Sequence, residues 1–230
     1  MDAGLFIAAS GMVAEQARQD QLSNDLANAS TPGFKPDETP QRSFGEVLLS
    51  NTSSGGPVGS IATGVSLGQT HTDLTPAGMQ TTEHPLDFGI VGQGFFAVRT
   101  PQGVRYTRNG QFTVSAQGLL TDGAGHDVLD QAGRTIKVGA RETVPPSTLG
   151  VFNVPNAAKQ GENLYSGTPA GRASGVVRSG VLEESGASPA KVMVEMIGSL
   201  RSFQSGQQAI QAIDQTLGEA ATQVGSVSGS

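Results

Sequence analysis

Histidines, an acid pair and a glycine-rich run are the residues from which this chain could build chemistry. His71, His84 and His126 are the three imidazoles; a shared metal site would need them brought together, and they sit in turn-rich polar contexts with no i, i+4 pairing. Exposed loop histidines are the expectation. Gly92-Gln93-Gly94-Phe95-Phe96-Ala97 fits a loose G-x-G-x-x-A dinucleotide pattern, which requires a helix to open there. The residues that follow, FFAVR, read as a strand, so a glycine turn between two strands is expected instead. No G-x-S-x-G nucleophile elbow occurs in a strand-to-helix setting. Glu183-Glu184 is a pair of neighbouring acids, and such pairs at a strand end are expected to be solvated. Asn28 in NAS and Asn51 in NTS match the glycosylation sequon, a short pattern to which no role is assigned. Without cysteine there are no disulfides, Cys-zinc sites or thiol nucleophiles. The expectation is a protein that is not an enzyme, with no catalytic residue, metal or cofactor.

Composition narrows the class. Aromatics are 5% of the chain with no Trp, while Gly (32) and Pro (12) are abundant, so packing anchors are few and turns many. The net charge of −6 comes without any Lys/Arg run, which argues against a nucleic-acid partner. No apolar stretch reaches the roughly 20 residues that span a bilayer, so no direct membrane insertion is expected. The start, MDAGLFIAAS, has Asp2 where a Sec signal would place Lys or Arg; export without a cleaved Sec signal is the expectation.

The ends read as helices and the middle as strands. Leu5, Ala8, Met12, Leu22 and Leu26 form a narrow apolar stripe interrupted by Gln19. Ser188-Pro189 is an N-cap followed by Pro at the first helical position, and Met196, Phe203, Ile210, Leu217 and Val224 then recur at a constant interval of seven. Val192, Leu200 and Ile213 widen that seam. Gly198, Gly206 and Gly218 each weaken the helix by about 1 kcal/mol relative to Ala, so packing must complete it. Residues 36–70, with Pro36, Pro40 and the SSGGPVG cluster, read as a linker or extended segment. Residues 71–187 carry short strand-like runs punctuated by glycine, with Asn109-Gly110 expected to be a type I′ hairpin turn. The expected fold is α+β: 1–35 an N-terminal helix and its terminating turn, 36–70 the linker, 71–187 a central all-β domain, and 188–230 a C-terminal helix.

The polar residues of the first helix are largely neutral: Gln16, Gln19, Gln21, Ser23, Asn24 and Asn28. Amides can be buried against neighbours without desolvating a charge, and Ala3, Gly4, Ala8, Ala9, Gly11 and Ala14 leave room for a second helix. Two readings stand: an intramolecular pair of terminal helices, or packing between subunits with helices that order only on assembly. After Asn28 the helix must stop, because Pro32 cannot extend the hydrogen-bond ladder and Gly33 permits reversal, with Asn28 or Ser30 serving the freed groups.

LFIAASGMVAEQARQDQLSNDLANASTPGFK closely resembles the N-terminal signature of the bacterial flagellar rod and hook axial proteins, whose helix ends in a NNLANxxTxGFK motif. PLDFGIVGQGFFAV and RYTRNGQFTV with GLLTDGAGHDVL resemble that family's β-domain motifs. SGVLEES with VMVEMIGSLRSFQSGQQAIQAIDQTL is similar to its C-terminal helix, here carrying Glu195-Met196, Arg201-Ser202-Phe203 and Asp214. Asp25 replaces the family's usual second Asn, and Gly186-Ala187-Ser188-Pro189 replaces its common Asn-Val-Asn start of the last helix.

The resemblance implies a structural subunit that assembles helically with other flagellar rod proteins and copies of itself. Such a subunit would pass through the flagellar type III export apparatus into the periplasm-spanning rod of the basal body, transmit torque and line the export channel. The terminal helices would pair as a coiled-coil-like bundle. The LANASTPGFK form, the segment DLTPAGMQTTEHPLDFGI and a length short of a hook protein imply the proximal rod subunit more than the distal one. The residues expected to carry assembly packing are Leu5, Met12, Leu22, Leu26, Asn28 and Phe34 with Met196, Leu200, Phe203, Ile210, Ile213 and Leu217. The competing class is a monomeric β-rich binding module whose helices fold alone.

Overall fold

The computed structural model describes residues 2–50, 57–139, 143–161 and 163–227. Asn51 and the 53–56 part of the SSGGPVG cluster lie outside the described residues, as does the side chain of Val224. A helix at each end, α1 (Asp2–Ala27) and α2 (Pro189–Val227), brackets a β-rich middle, an α+β fold. None of the described helices is long and apolar enough to cross a membrane. The chain divides into two units, one of Met1–Asn24, Asp37–His71 and Ala190–Ser230, the other of Asp25–Pro36 and Thr72–Pro189. The terminating turn after α1 therefore belongs with the β-rich unit.

In the helical unit, α1 and α2 touch in antiparallel order. A Cβ on Gly4 would lie 3.5 Å from Ile213 Cδ1, and one on Gly206 would lie 2.8 Å from Met12 Cγ. Further along, the Ser199 hydroxyl donates to Glu15 Oε2 at 2.6 Å, and Arg18 lies 3.9 Å from Glu195. Residues 36–70, expected to be a linker or extended segment, pair with themselves. Gln41–Ser43 pairs antiparallel with Val65–Leu67, and Glu46–Ser50 with Pro57–Ala62. Between these two ladders Phe44 N–H donates to Gly64 O at 2.7 Å and Thr63 N–H to Gly45 O at 3.1 Å, so the two ladders join into one two-stranded ribbon. Ser10 fastens it to α1 by accepting from Val65 N–H at 3.1 Å, and the Gln21 amide donates to Asp37 O.

The other unit is built on a seven-stranded antiparallel sheet. Its central strand, Phe96–Thr100, is covered on both faces: Phe96 and Val98 enter a core with Phe88, Ile90 and Phe112, while Ala97 enters a second with Phe95, Tyr106 and Tyr165. Alternation of side chains along a strand makes this possible, and each large side chain buried contributes about 1.5–3 kcal/mol. Gly92-Gln93-Gly94 is a turn between the strands Phe88–Val91 and Phe96–Thr100, not the opening of a helix.

The expected hairpin at Asn109-Gly110 does not form. The preceding strand Gly103–Thr107 pairs with Phe96–Thr100 and Leu164–Ser166, whereas the following strand Thr113–Val114 pairs with Leu120–Thr121. Neither residue has positive φ. Gly110 is needed for space instead: a Cβ there would lie 1.6 Å from Phe88 O, whose residue's N–H donates to Gly110 O at 3.0 Å. Two successive turns of like sequence, Asp122-Gly-Ala-Gly-His126 and Asp130-Gln-Ala-Gly-Arg134, use one geometry. In each the Asp Oδ1 accepts backbone N–H groups from the residues two and four ahead, and Oδ2 contacts the side chain four ahead.

Candidate assembly site

The stop signal after α1 is fixed within the β-rich unit. Thr31 N–H donates to Asn28 O at 3.0 Å and the Thr31 hydroxyl to Asn28 Oδ1 at 3.3 Å, while Ser185 caps Asn28 O from a distant segment at 3.0 Å. Gly33 takes φ 67°, and a Cβ there would meet the Arg108 carbonyl at 2.5 Å. The reversal thus needs glycine for conformation and for room. Phe34 is buried, and Lys159 Nζ stands 4.2 Å from its ring centroid while donating to Lys35 O at 2.9 Å.

The turn delivers Lys35 to a buried ionic junction. Lys35 Nζ donates to Glu183 Oε1 at 2.6 Å and to Thr75 O at 2.6 Å; Arg108 Nη1 donates to Glu183 Oε2 at 3.1 Å and to Gly92 O at 3.0 Å. Ala77 N–H adds a bond to Glu183 Oε1 at 2.9 Å. All three charged side chains are buried, and Arg108 also stacks its guanidinium 5.2 Å from the Phe95 ring centroid. Charges taken out of water need partners of this kind. The expectation that the Glu183-Glu184 pair is solvated is corrected for Glu183, which lies between two cations; Glu184 is exposed. The junction ties three distant segments of the β-rich unit together and acts as a structural anchor.

The histidines separate as well. His71 lies 3.5 Å from Glu38, His84 3.7 Å from Asp87 and His126 2.9 Å from Asp122. Among the described residues no cluster of three or more His, Asp or Glu is placed to hold a metal.

In the helical unit a stripe of shielded positions on α2 runs 192, 196, 199, 203, 206, 210, 213 and 217, a regular alternation of four and three, with Glu195 half-buried at its edge. Met196, Phe203, Ile210, Ile213 and Leu217 are half-buried on this stripe and Val192 is buried. Ser199, buried, occupies the place on this stripe beside Leu200, which is 46% exposed. On α1, Leu22 is buried, Met12 is half-buried and Leu5 is 42% exposed. Leu26 and Asn28, half-buried, fall in the β-rich unit with Phe34.

Three family models match this chain. A "Flagella basal body rod protein" model covers residues 5–35, a "Flagellar hook protein FlgE/F/G D1 domain" model covers 89–162, and a "Flagellar basal body rod FlgEFG protein C-terminal" model covers 178–223. The chain belongs to the flagellar basal-body rod protein family. It is similar to "Flagellar hook-basal body complex protein FlhO" of Bacillus subtilis, 28% identical over 97% of this chain and 99% of that protein. It is also similar to "Flagellar basal-body rod protein FlgG" of the same organism, 29% identical over 94% and 96%, and to "Flagellar basal-body rod protein FlgF" of Caulobacter vibrioides, 29% identical over 89% and 91%.

Each matched rod-family segment supplies one member of the buried junction: Lys35 from the first, Arg108 from the second and Glu183 from the third. Reading the sequence found the Thr-Pro-Gly-Phe-Lys stop but not the role of its lysine. Its signals were the single Lys behind a buried Phe and the acid at the end of the apolar run Val181-Leu182.

Proposed function

We propose that this rod-family protein is a structural subunit of the proximal flagellar rod, assembling helically with other axial proteins and with copies of itself in the basal body. It is a structural, non-enzymatic member of the family. In this reading α1 and α2 pair as a coiled-coil-like layer that lines the export channel, and the assembled subunits transmit torque. The flagellar type III export apparatus delivers the chain.

The observation that carries the reading is the α2 stripe from Val192 to Leu217, set at heptad-like spacing against α1, with aliphatic residues left in solvent on the same helices. A helical pair with unspent apolar surface suits an array in which helices from several copies meet. The assignment to the proximal segment is supported by the LANASTPGFK form and the DLTPAGMQTTEHPLDFGI segment.

Phe203→Asp tests it. In cells carrying only this variant, isolated basal bodies are expected to lack the chain and motility to be lost, while hydrogen exchange on the purified variant still protects residues 72–186. Incorporation at the wild-type level would sink the packing role of the stripe. Absence of the wild-type chain from isolated basal bodies would sink the rod reading itself.

A further inference from the structure

Asn109-Gly110 forms no hairpin, and Asn109 is the one asparagine of the chain followed by glycine. In such a pair the main-chain nitrogen of the glycine can attack Cγ of the asparagine side chain. Glycine has no side chain to hinder the approach and lets the backbone swing into place. The N–Cγ bond forms, the N–H proton departs with the side-chain amide as ammonia, and a cyclic imide remains. Water then opens the ring at one of its two carbonyls. One opening gives aspartate; the other gives isoaspartate, whose main chain runs through the former side chain and is longer by a methylene.

Folding ties down both reacting groups. Asn109 Oδ1 accepts from Gln111 N–H at 3.0 Å, and Asn109 N–H donates to the Thr107 hydroxyl at 3.0 Å. Gly110 is buried against Phe88 and Phe96, themselves fully buried: a Cβ there would lie 1.6 Å from Phe88 O and 3.2 Å from Phe96 Cε2. Gly110 O accepts from Phe88 N–H at 3.0 Å. On the preceding side, a Cβ on Gly33 would lie 2.5 Å from the Arg108 carbonyl and 2.7 Å from Asn109 N. Bringing Gly110 N onto Cγ turns the peptide between residues 109 and 110 inside this packing, so ring closure requires the segment to open first.

We infer that Asn109 is a site of spontaneous deamidation and isomerisation, open in the unfolded chain and closed by folding, and that the fold accepts only one of the two products. Aspartate keeps an oxygen for Gln111 N–H and leaves the main chain unchanged. Isoaspartate adds a methylene between the contact with Gly33 and the contact with Phe88, where two backbones already touch. A chain carrying it does not regain the β-rich unit. The time a chain spends unfolded is thereby recorded at one bond, and this holds independently of the rod reading.

The purified full chain, aged at one mildly alkaline pH with and without guanidinium chloride, tests this, with position 109 followed by peptide fragmentation and mass spectrometry. Conversion is expected to be at least ~10-fold faster in denaturant, because the folded segment opens rarely. Equal rates overturn the closure by folding. Gly110→Ala, compared in denaturant where its crowding against Phe88 is immaterial, is expected to slow conversion at least ~10-fold, and no slowing overturns the assignment to this pair. The aged chain is then returned to buffer and separated into folded and unfolded fractions by size exclusion, with Asn109→Asp as the reference that folds. Isoaspartate at the position is expected to be enriched at least ~10-fold in the unfolded fraction, with the aspartate product divided like intact asparagine. Isoaspartate spread evenly between the fractions, or Asn109→Asp failing to fold, overturns the selective loss.

Discussion

Glu183 Oε1 lies 2.6 Å from Lys35 Nζ, with both side chains buried and Arg108 bound to the other carboxylate oxygen at 3.1 Å. One anion holds two cations there, so the three are not equivalent. Removing Lys35 leaves Glu183 with Arg108 and the Ala77 N–H; removing the carboxylate charge leaves two buried cations facing each other.

Glu183→Gln is therefore expected to destabilise the β-rich unit by about 3–5 kcal/mol, the scale for breaking a buried pair, and Lys35→Met by distinctly less. Urea denaturation followed by tyrosine fluorescence reads the difference. Equal losses for the two variants would show that the junction does not depend on charge balance.

Gly33→Ala combines two penalties, φ 67° and a Cβ 2.5 Å from the Arg108 carbonyl. Gly118→Ala meets only the first, at φ 71° with nothing within 4 Å of the added carbon. Gly118→Ala is expected to cost about 1 kcal/mol and Gly33→Ala well above 2 kcal/mol, because backbone cannot give way as a side-chain tip does. Similar midpoints in denaturant for the two variants would contradict the close approach.

The legible parts of this fold are those set by local chemistry. Pro32-Gly33 ends α1, Ser188-Pro189 begins α2 and the glycine turn at 92–94 joins two strands, each for reasons contained in a few residues. The heptad of α2 gave Met196, Phe203, Ile210 and Leu217 as one stripe, yet favoured Leu200 over Ser199, because hydropathy cannot report that a serine hydroxyl has a glutamate waiting on another helix. The Lys35–Arg108–Glu183 junction joins residues far apart in sequence, so no window contains it. Asn109-Gly110 misled because local turn preference was overridden by tertiary pairing, which left Gly110 as a point of close approach to Phe88.

The Asp130 turn predicts a pH dependence. The Arg134 backbone N–H donates to Oδ1 at 2.8 Å, and this bond, aided by the Arg134 side chain and the Ala132 N–H, holds the carboxyl below its ordinary value of 3.8 despite desolvation. A carboxyl with a depressed folded-state pKa contributes stability that is present above the unfolded-state value and lost as pH falls through the folded one. The stability gap between wild type and Asp130→Asn should thus be constant from neutral pH to about 5 and shrink below about 4. Thermal unfolding of both chains across that range checks the sign; a gap that grows on acidification would refute it.

The glycines of α2 should divide by what faces them. A Cβ on Gly198 meets nothing within 4 Å, so Gly198→Ala is expected to stabilise α2 by roughly 0.5–1 kcal/mol through helix propensity alone. At Gly206 the same methyl would lie 2.8 Å from Met12 Cγ and 3.9 Å from Ala8 O, so the propensity gain is opposed by overpacking against α1. Gly206→Leu should part the helices there, and Met12→Ala should recover part of the loss by vacating the space. Hydrogen exchange of the α2 amides around residues 198 and 206 reads these variants. Protection that rises equally at Gly198→Ala and Gly206→Ala, with no effect of Met12→Ala on either, would mean that α1 does not pack against this turn of α2.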